Sequence, residues 1–153
     1  RFKSRYKELS NDKENVEIKH SSDISPDQNL YKLLKNSLEK DLRFQYTTKG
    51  IHKDDLNLSL DNFPIKKYGS QGQQKTFLIA MKLAQFDYLS KLDSKPILLL
   101  DDIFDKLDDT RVKQIINLVN QEKFNQIFIS DTNKTRSENI IKKVNKSYKI
   151  FEI

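Results

Sequence analysis

The sequence has 153 residues, no cysteine, 33% charged residues, and 28 Lys or Arg against 22 Asp or Glu, a formal net charge of +6. That length gives room for one domain with its own core. The missing cysteines exclude disulfides and thiolate metal sites, and no apolar run approaches the ~18 residues of a membrane-spanning helix. The plain reading is a soluble cytoplasmic protein whose basic balance permits nucleic-acid binding without requiring it. The chain begins at Arg1 rather than Met and shows no signal-peptide pattern, so it is expected to be a fragment of a longer protein.

Residues 1–24 are polar and weakly patterned, a candidate flexible stretch, with Val16 and Ile18 alternating as in a short strand. Ser25-Pro26 reads as a helix start, a hydroxyl cap followed by Pro at the first turn. Leu30, Leu33, Leu34, Leu38 and Leu42 then keep helical spacing to about Phe44. Gly50 breaks that pattern, and Leu56, Leu58 and Leu60 alternate as a strand with one buried face. After the turn Asn62-Phe63-Pro64, the stretch from Gly72 to about Ser90 reads as a helix. Phe77, Leu78, Ala80, Met81, Leu83 and Ala84 make its middle apolar on most sides, hence deeply buried.

Pro96 opens the run Ile97 to Leu100, a length and composition that suit a central parallel strand covered on both faces. Asp109 can cap the next helix, which has Val112, Ile115, Ile116 and Val119 on one face. Ile127-Phe128-Ile129 reads as a second central strand, Ile140, Ile141 and Val144 as a helix, and Tyr148 to Ile153 as a last strand. Alternating strands and helices imply an α/β fold on a parallel sheet.

Chemistry concentrates at the ends of these elements. Asp101 and Asp102 follow a buried strand, at the mouth of the sheet where α/β proteins bind ligands. Asp101 can hold Mg²⁺, a hard ion that takes oxygen ligands. Asp102 can orient or deprotonate an attacking water. On an extended segment the two would point opposite ways and so do different jobs. An ordinary acidic loop after a strand is the alternative. Ser70-Gln71-Gly72-Gln73 opens the long helix, whose free N–H groups and positive end suit a phosphate. Gly69 and Gly72 allow tight turns and close approach, and Ser70 adds a hydroxyl donor. A plain capped helix start is the alternative.

Asp105-Lys106-Leu107-Asp108 would lie beside that phosphate, with Asp108 able to bridge to a partner subunit or simply to cap a helix. Ser130, Asp131 and Thr132 end the second strand at the same mouth, where one of them could sense a terminal phosphate. His52, in the polar knot Gly50 to Leu56, has only His20 for company and reads as a structural hydrogen-bonding residue. Lys134, Arg136, Lys142, Lys143, Lys146 and Lys149 make a basic tail, read as a solvated helix face or a DNA-phosphate patch.

From about Leu38 to the end, these motifs resemble the C-terminal part of the RecF family. That family comprises DNA replication and repair proteins among the ABC-type ATPases that also include SMC-like proteins. Gly50 to Leu56 is similar to its Gly-Pro-His-Arg/Lys-x-Asp-Leu stretch, with Ile51 in place of Pro. Ser70 to Gln73 resembles its signature motif. Pro96 to Asp102 resembles its Walker B strand, with Asp where many ABC-type ATPases have Glu. Leu107-Asp108 resembles the end of its D-loop, Asp105-Lys106 departing from the usual Ser/Ala-Glu. Ile129 to Thr132 resembles its switch, where transporter-type relatives carry His.

The resemblance implies an ATPase, with ATP and Mg²⁺ as cofactors, held between two head domains of an ATP-dependent homodimer. Ser70, Gln71, Gly72 and Gln73 would act in trans on the partner's nucleotide, and Asp101 and Asp102 in cis. It implies a DNA clamp at single-/double-strand junctions that works with RecO and RecR to load recombinase at gaps and supports the SOS response. Residues 1–48 would be the end of a helical lobe and its return segment, and 49–153 the C-terminal part of the head. The Gly-rich phosphate loop with its Lys does not occur in this sequence, so the chain alone is expected to be inactive. The alternatives are another SMC-like or transporter-type ABC ATPase, and a metal-dependent nuclease built on Asp101, Asp102 and Asp105.

Overall fold

The computed structural model describes residues 1–92, 95–121, 124–144 and 147–152. Its elements in chain order are α1 (Phe2–Ser10), β1 (Val16–Ser21), α2 (Leu30–Phe44), β2 (Asp55–Leu60), β3 (Phe63–Pro64), α3 (Ile65–Tyr68), α4 (Gln71–Leu89), β4 (Leu98–Leu100), α5 (Asp109–Val119), β5 (Ile127–Ile129) and α6 (Lys134–Ile141). They form two compact units, Arg1–Val16 with Leu60–Ile153, and Glu17–Ser59. Residues 1–16 thus belong to the same compact unit as residues 60–153.

The larger unit is organised around α4. This helix is apolar on most sides, and it buries Thr76, Phe77, Ile79, Ala80, Leu83 and Phe86. Leu78, expected inside, is exposed, while Ile79 takes the inward position. The weakly patterned N-terminus is a helix rather than a flexible stretch. In α1, Tyr6 is 0% exposed and Leu9 is 1% exposed. The Phe2 and Tyr6 rings lie 4.6 and 5.9 Å from Phe77. Arg5 forks onto Asp87 of α4 at 2.6 and 2.7 Å and also reaches Glu8. Two aromatics and a bidentate ion pair therefore fix α1 to α4, and Asn11, in the left-handed region at φ 57°, stops the helix.

β4 and β5 pair in parallel, Leu98 with Ile127, Leu99 with Phe128 and Leu100 with Ile129. Leu98 and Leu100 are buried, but Leu99 is 66% exposed and Phe128 is also exposed. Side chains alternate across a strand, so among the described residues this two-stranded sheet is covered on the Leu98/Leu100 face and open on the Leu99/Phe128 face, not covered on both. α5 buries Ile115, Ile116, Leu118 and Val119. Its cap is Asp108, with Asp109 in the first turn, because the Asp108 carboxylate accepts the Arg111 N–H at 2.9 Å. α6 is capped by Asn133 and ends at Ile141, so Val144 lies beyond it. Residues 147–152 adopt no strand; Ile153, at the end of that expected strand, and Lys146 lie outside the described residues.

In the smaller unit β1 and β2 are neighbours in a sheet. The α2 helix begins at Leu30 rather than at Ser25-Pro26. Ser25 to Gln28 closes a turn through the Gln28 N–H and the Ser25 carbonyl at 3.0 Å. Asn29 is the cap, accepting the Lys32 N–H at 3.2 Å. The leucine stripe of α2 keeps its spacing, yet Leu42 is 71% exposed. The alternation in β2 buries only its end, Leu60, and leaves Leu56 exposed. His52 Nε2 bonds the Thr47 carbonyl at 3.0 Å, the structural role expected of it. Gly50 has φ 133°, a conformation closed to L side chains, with the His52 ring where a Cβ would stand.

Candidate functional site

Ser70 and Gln73 build the start of α4 as a reciprocal pair. The Ser70 hydroxyl oxygen accepts the Gln73 N–H at 3.2 Å, and the Gln73 side-chain carbonyl accepts the Ser70 N–H at 2.8 Å. Helix geometry leaves the N–H groups of Gln71 and Gly72 without intrahelical acceptors. No acidic residue stands in the first turn to offset the helix's positive end. Gly69 has φ −75°, so it serves room rather than a special turn. A Cβ there would sit 2.7 Å from Ile65 Cγ1 and its carbonyl. A Cβ on Gly72 would lie 3.0 Å from the Lys106 carbonyl, so the start of α4 abuts the loop that follows β4.

That loop carries the acid pair. Asp101 follows Leu100 directly, and Asp102 turns back at φ 46°. The two acids are therefore not on one extended segment; a left-handed residue separates their directions. Asp is among the few side chains that tolerate this region. Ser130, the residue after β5, knits the pair together. Its N–H donates to the Leu100 carbonyl at 3.0 Å. Its hydroxyl donates to Asp101 Oδ1 and accepts the Asp102 N–H, the latter at 3.0 Å. Lys75 of α4 donates to the Asp102 carbonyl and stands 3.7 Å from Asp102 Oδ2. Asp102 Oδ1 is buried with no hydrogen-bond partner among the described residues. A buried carboxylate oxygen left unsatisfied is a common mark of a working site.

The remaining sequence-predicted residues divide. Lys106 is left-handed at φ 58°, and Asp108 both caps α5 and pairs with Arg111 Nη1 at 2.8 Å. The Arg111 backbone N–H, more than its charge, holds the Asp108 carboxyl below its ordinary value. Ser130 touches the acid pair, and Thr132 is exposed. Asp131 turns away, its side chain only 2% exposed and held by Arg136 Nη2 at 2.5 Å, Arg136 Nε and the Ser137 hydroxyl. Asp101, Asp102 and Asp105 are not gathered as three ligands; among the described residues no group of three or more acids or His is placed to hold an ion. The basic tail is partly compensated, since Lys134 pairs with Glu152 and Arg136 with Asp131.

Burial pushes the Asp131 carboxyl up, but Arg136 and Ser137 pull it further down, below the ordinary 3.8. A carboxyl depressed in the folded state contributes stability that is complete above its ordinary value and is lost as pH falls through its folded value. Melting temperature should therefore drop on acidification below about pH 4, and Asp131→Asn should flatten that limb. An unchanged acid limb in the variant would remove Asp131 from the account of stability.

Lys75, Glu14 and Arg111 belong to none of the motifs in the sequence. Only the first had a local signal: it lies one helical turn after Gly72 on the helix that starts at the site. Glu14 and Arg111 are joined to it by the fold alone.

No family model matches the sequence. The chain is 50% identical over 153 residues, 99% of its length, to the DNA replication and repair protein RecF of Flavobacterium johnsoniae, covering 42% of that protein. It is equally 50% identical to RecF of Bacteroides thetaiotaomicron, covering 41% of it, and 46% identical to RecF of Porphyromonas gingivalis, covering 42%. The chain thus spans about two fifths of the length of these curated relatives. Among solved structures it is similar to the recombination mediator protein RecF-ATPrS in the RecFOR pathway, with TM-score 0.66, 28% identity, and coverage of 87% of this chain and 38% of that one. The corresponding RecF-ATP structure gives TM-score 0.64 and 26% identity over 87% of this chain and 39% of that one.

Proposed function

From a chain that is RecF-like in sequence along its whole length and RecF-like in fold over most of it, we propose that it supplies the signature and Walker B half of an ATP site. The site belongs to an ABC-type DNA clamp acting in recombinational repair and at replication gaps. The observation that carries this reading is that two features suited to phosphate stand side by side on one chain, one for its own nucleotide and one for a second copy's. The start of α4, Ser70 to Gln73, abuts the Lys106 carbonyl of the loop that opens with Asp101 and Asp102, whose buried Oδ1 has no hydrogen-bond partner among the described residues.

In this reading Ser70 and the N–H groups of Gln71 and Gly72 close on nucleotide bound by a second copy. Gln73 holds their geometry. Asp102 orients and deprotonates the water that attacks a terminal phosphate within the same subunit. Ser130, bonded to both acids, relays the presence of that phosphate. Asp108 stands where a partner subunit would reach, its side chain 53% exposed. Asp101, exposed at the end of β4 with the Ser130 hydroxyl beside it, would hold Mg²⁺, which neutralises phosphate charge when bound. A single protein carboxylate suits this ion, which otherwise keeps waters and phosphate oxygens. The names of the solved RecF structures, one with ATP and one with ATPrS, support nucleotide as the ligand. DNA at single-/double-strand junctions, an ATP-dependent homodimer, and RecO and RecR are the partners this function carries. The ungathered geometry of Asp101, Asp102 and Asp105 gives a nuclease no comparable support.

ATP hydrolysis by the isolated chain and by the whole gene product that contains it tests the proposal. The chain alone should show none, because no Gly-rich loop with its Lys is present to cradle the phosphates. The gene product should turn ATP over, faster with double-stranded DNA. Measurable turnover by the pure chain would overturn the half-site reading.

A further inference from the structure

Glu14 lies in the link between α1 and β1, far in sequence from the site, yet its carboxylate is a junction of three segments. It accepts the Tyr6 hydroxyl at 2.6 Å, Gln73 Nε2 at 2.9 Å, and Arg111 Nη2 at 2.8 and 3.0 Å. Its side chain and that of Arg111 are each 15% exposed. Burial alone would push the Glu14 carboxyl up, but hydrogen bonds from Tyr6, Gln73 and Arg111 outweigh it and hold the group ionised below its ordinary value.

Each partner passes the connection on. Gln73 is held at both ends of its amide, donating to Glu14 and accepting the Ser70 N–H. Arg111 reaches Glu14 with one arm and Asp108 with the other, while its own N–H completes the cap of α5. Arg111 Nε is buried with no hydrogen-bond partner among the described residues, so the two carboxylates are what place the guanidinium. Ser70, Gln73, Glu14, Arg111 and Asp108 thus form one bonded series from the start of α4 to the start of α5. The near-contact of Gly72 with Lys106 closes the same two segments sterically.

We infer that Glu14 is a positioning residue. It locks the Ser70–Gln73 helix start and the Asp108 loop into one rigid face, without itself touching nucleotide. The functional consequence rests on the nucleotide reading above; the mechanical lock does not. On that reading the two segments meet a nucleotide and a second copy, and their fixed spacing is needed for closure around the phosphates. A single half-buried carboxylate bonded to both capped segments makes them loosen together.

Amide hydrogen exchange on the chain tests the lock. In Glu14→Gln the amides of Gln73 and Arg111 should both exchange at least ~tenfold faster, while those from Phe77 to Phe86 keep their protection. Arg111→Lys, which keeps the charge but cannot fork to two carboxylates, should give the same paired loosening, so a Glu14 variant that fails to fold does not end the test. Loosening of one cap without the other, or of neither, would overturn the inference. In the whole gene product, Glu14→Gln should lower kcat about tenfold and leave KM for ATP within about twofold, with Glu14→Asp recovering part of the rate. A kcat within about twofold of the parent, in a variant with both caps loosened, would overturn the positioning role. A parent that shows no turnover would sink the nucleotide reading instead, and the amide result would still decide the lock.

Discussion

Replacing Asp102 by Asn in the whole gene product should lower ATP turnover by about 10²–10⁴-fold, the usual contribution of a positioned general base. The change is small in shape. Asn is one of the few residues that, like Asp, accept the left-handed backbone found at φ 46°. Lys75 bonds the backbone carbonyl of residue 102, and Ser130 accepts its N–H, so neither anchor depends on the carboxylate. What is removed is the carboxylate charge, which faces Lys75 at 3.7 Å through Oδ2 and, through the buried Oδ1, has no hydrogen-bond partner among the described residues. The geometry should survive while the base is lost. A variant that retains turnover within about threefold of the parent would move the catalytic role elsewhere, and the unsatisfied oxygen would then need another partner.

The second large effect is on stability. Phe77→Ala should destabilise the chain by about 3–5 kcal/mol, the range for deleting a fully buried aromatic. Phe77 is 1% exposed, and it is the ring on which Phe2 and Tyr6 of α1 rest. Its loss leaves a cavity where two helices meet and undercuts the docking of α1, although the Arg5–Asp87 fork and the buried Leu9 remain. Leu42→Ala is the control: a leucine on the same kind of helical stripe, but exposed on α2, should change stability by well under about 1 kcal/mol. Urea midpoints for the two variants measure the contrast. Equal, small losses would mean that α1 does not dock on α4 as described.

The sequence revealed the elements whose signal is local. Helix α4 and strands β4 and β5 follow from apolar runs of the right length. The end of α2 at Phe44 follows from its leucine spacing. Boundaries failed where a nearby side chain competed for the cap. Asn29 displaced Ser25 at α2, while at α5 the cap is Asp108, one of the two acids able to cap it. Helix α1 was invisible because its apolar burial is carried by Tyr6 and Leu9 alone among polar and charged residues, and the Arg5 that reads as surface is itself buried and paired with Asp87. Burial of whole faces also failed: the aliphatic run at Ile97 to Leu100 reads as doubly covered, yet Leu99 faces outward.

The same division holds for the candidate site. Ser70, Gln73, Asp101 and Asp102 were legible because each sits at the end of a recognisable element. The left-handed turn at Asp102, the grip of Lys75 and the bridge through Ser130 were not, since they arise from pairings across 27 and 28 residues of sequence. Asp131 looked equivalent to Ser130 in the sequence. The structure separates them by giving Asp131 an arginine and a hydroxyl of its own. Glu14 and Arg111 had no local signal at all, being 97 residues apart.

The measurement that bears most directly on the half-site account is the mass in solution of the whole gene product carrying Asp102→Asn, with ATP and without it. If Ser70 to Gln73 of one copy closes on nucleotide held by another, and hydrolysis is what reopens that closure, the variant should be monomeric alone and a persistent dimer with ATP. A monomer at saturating ATP would contradict the account, and so would a dimer that forms equally well without nucleotide.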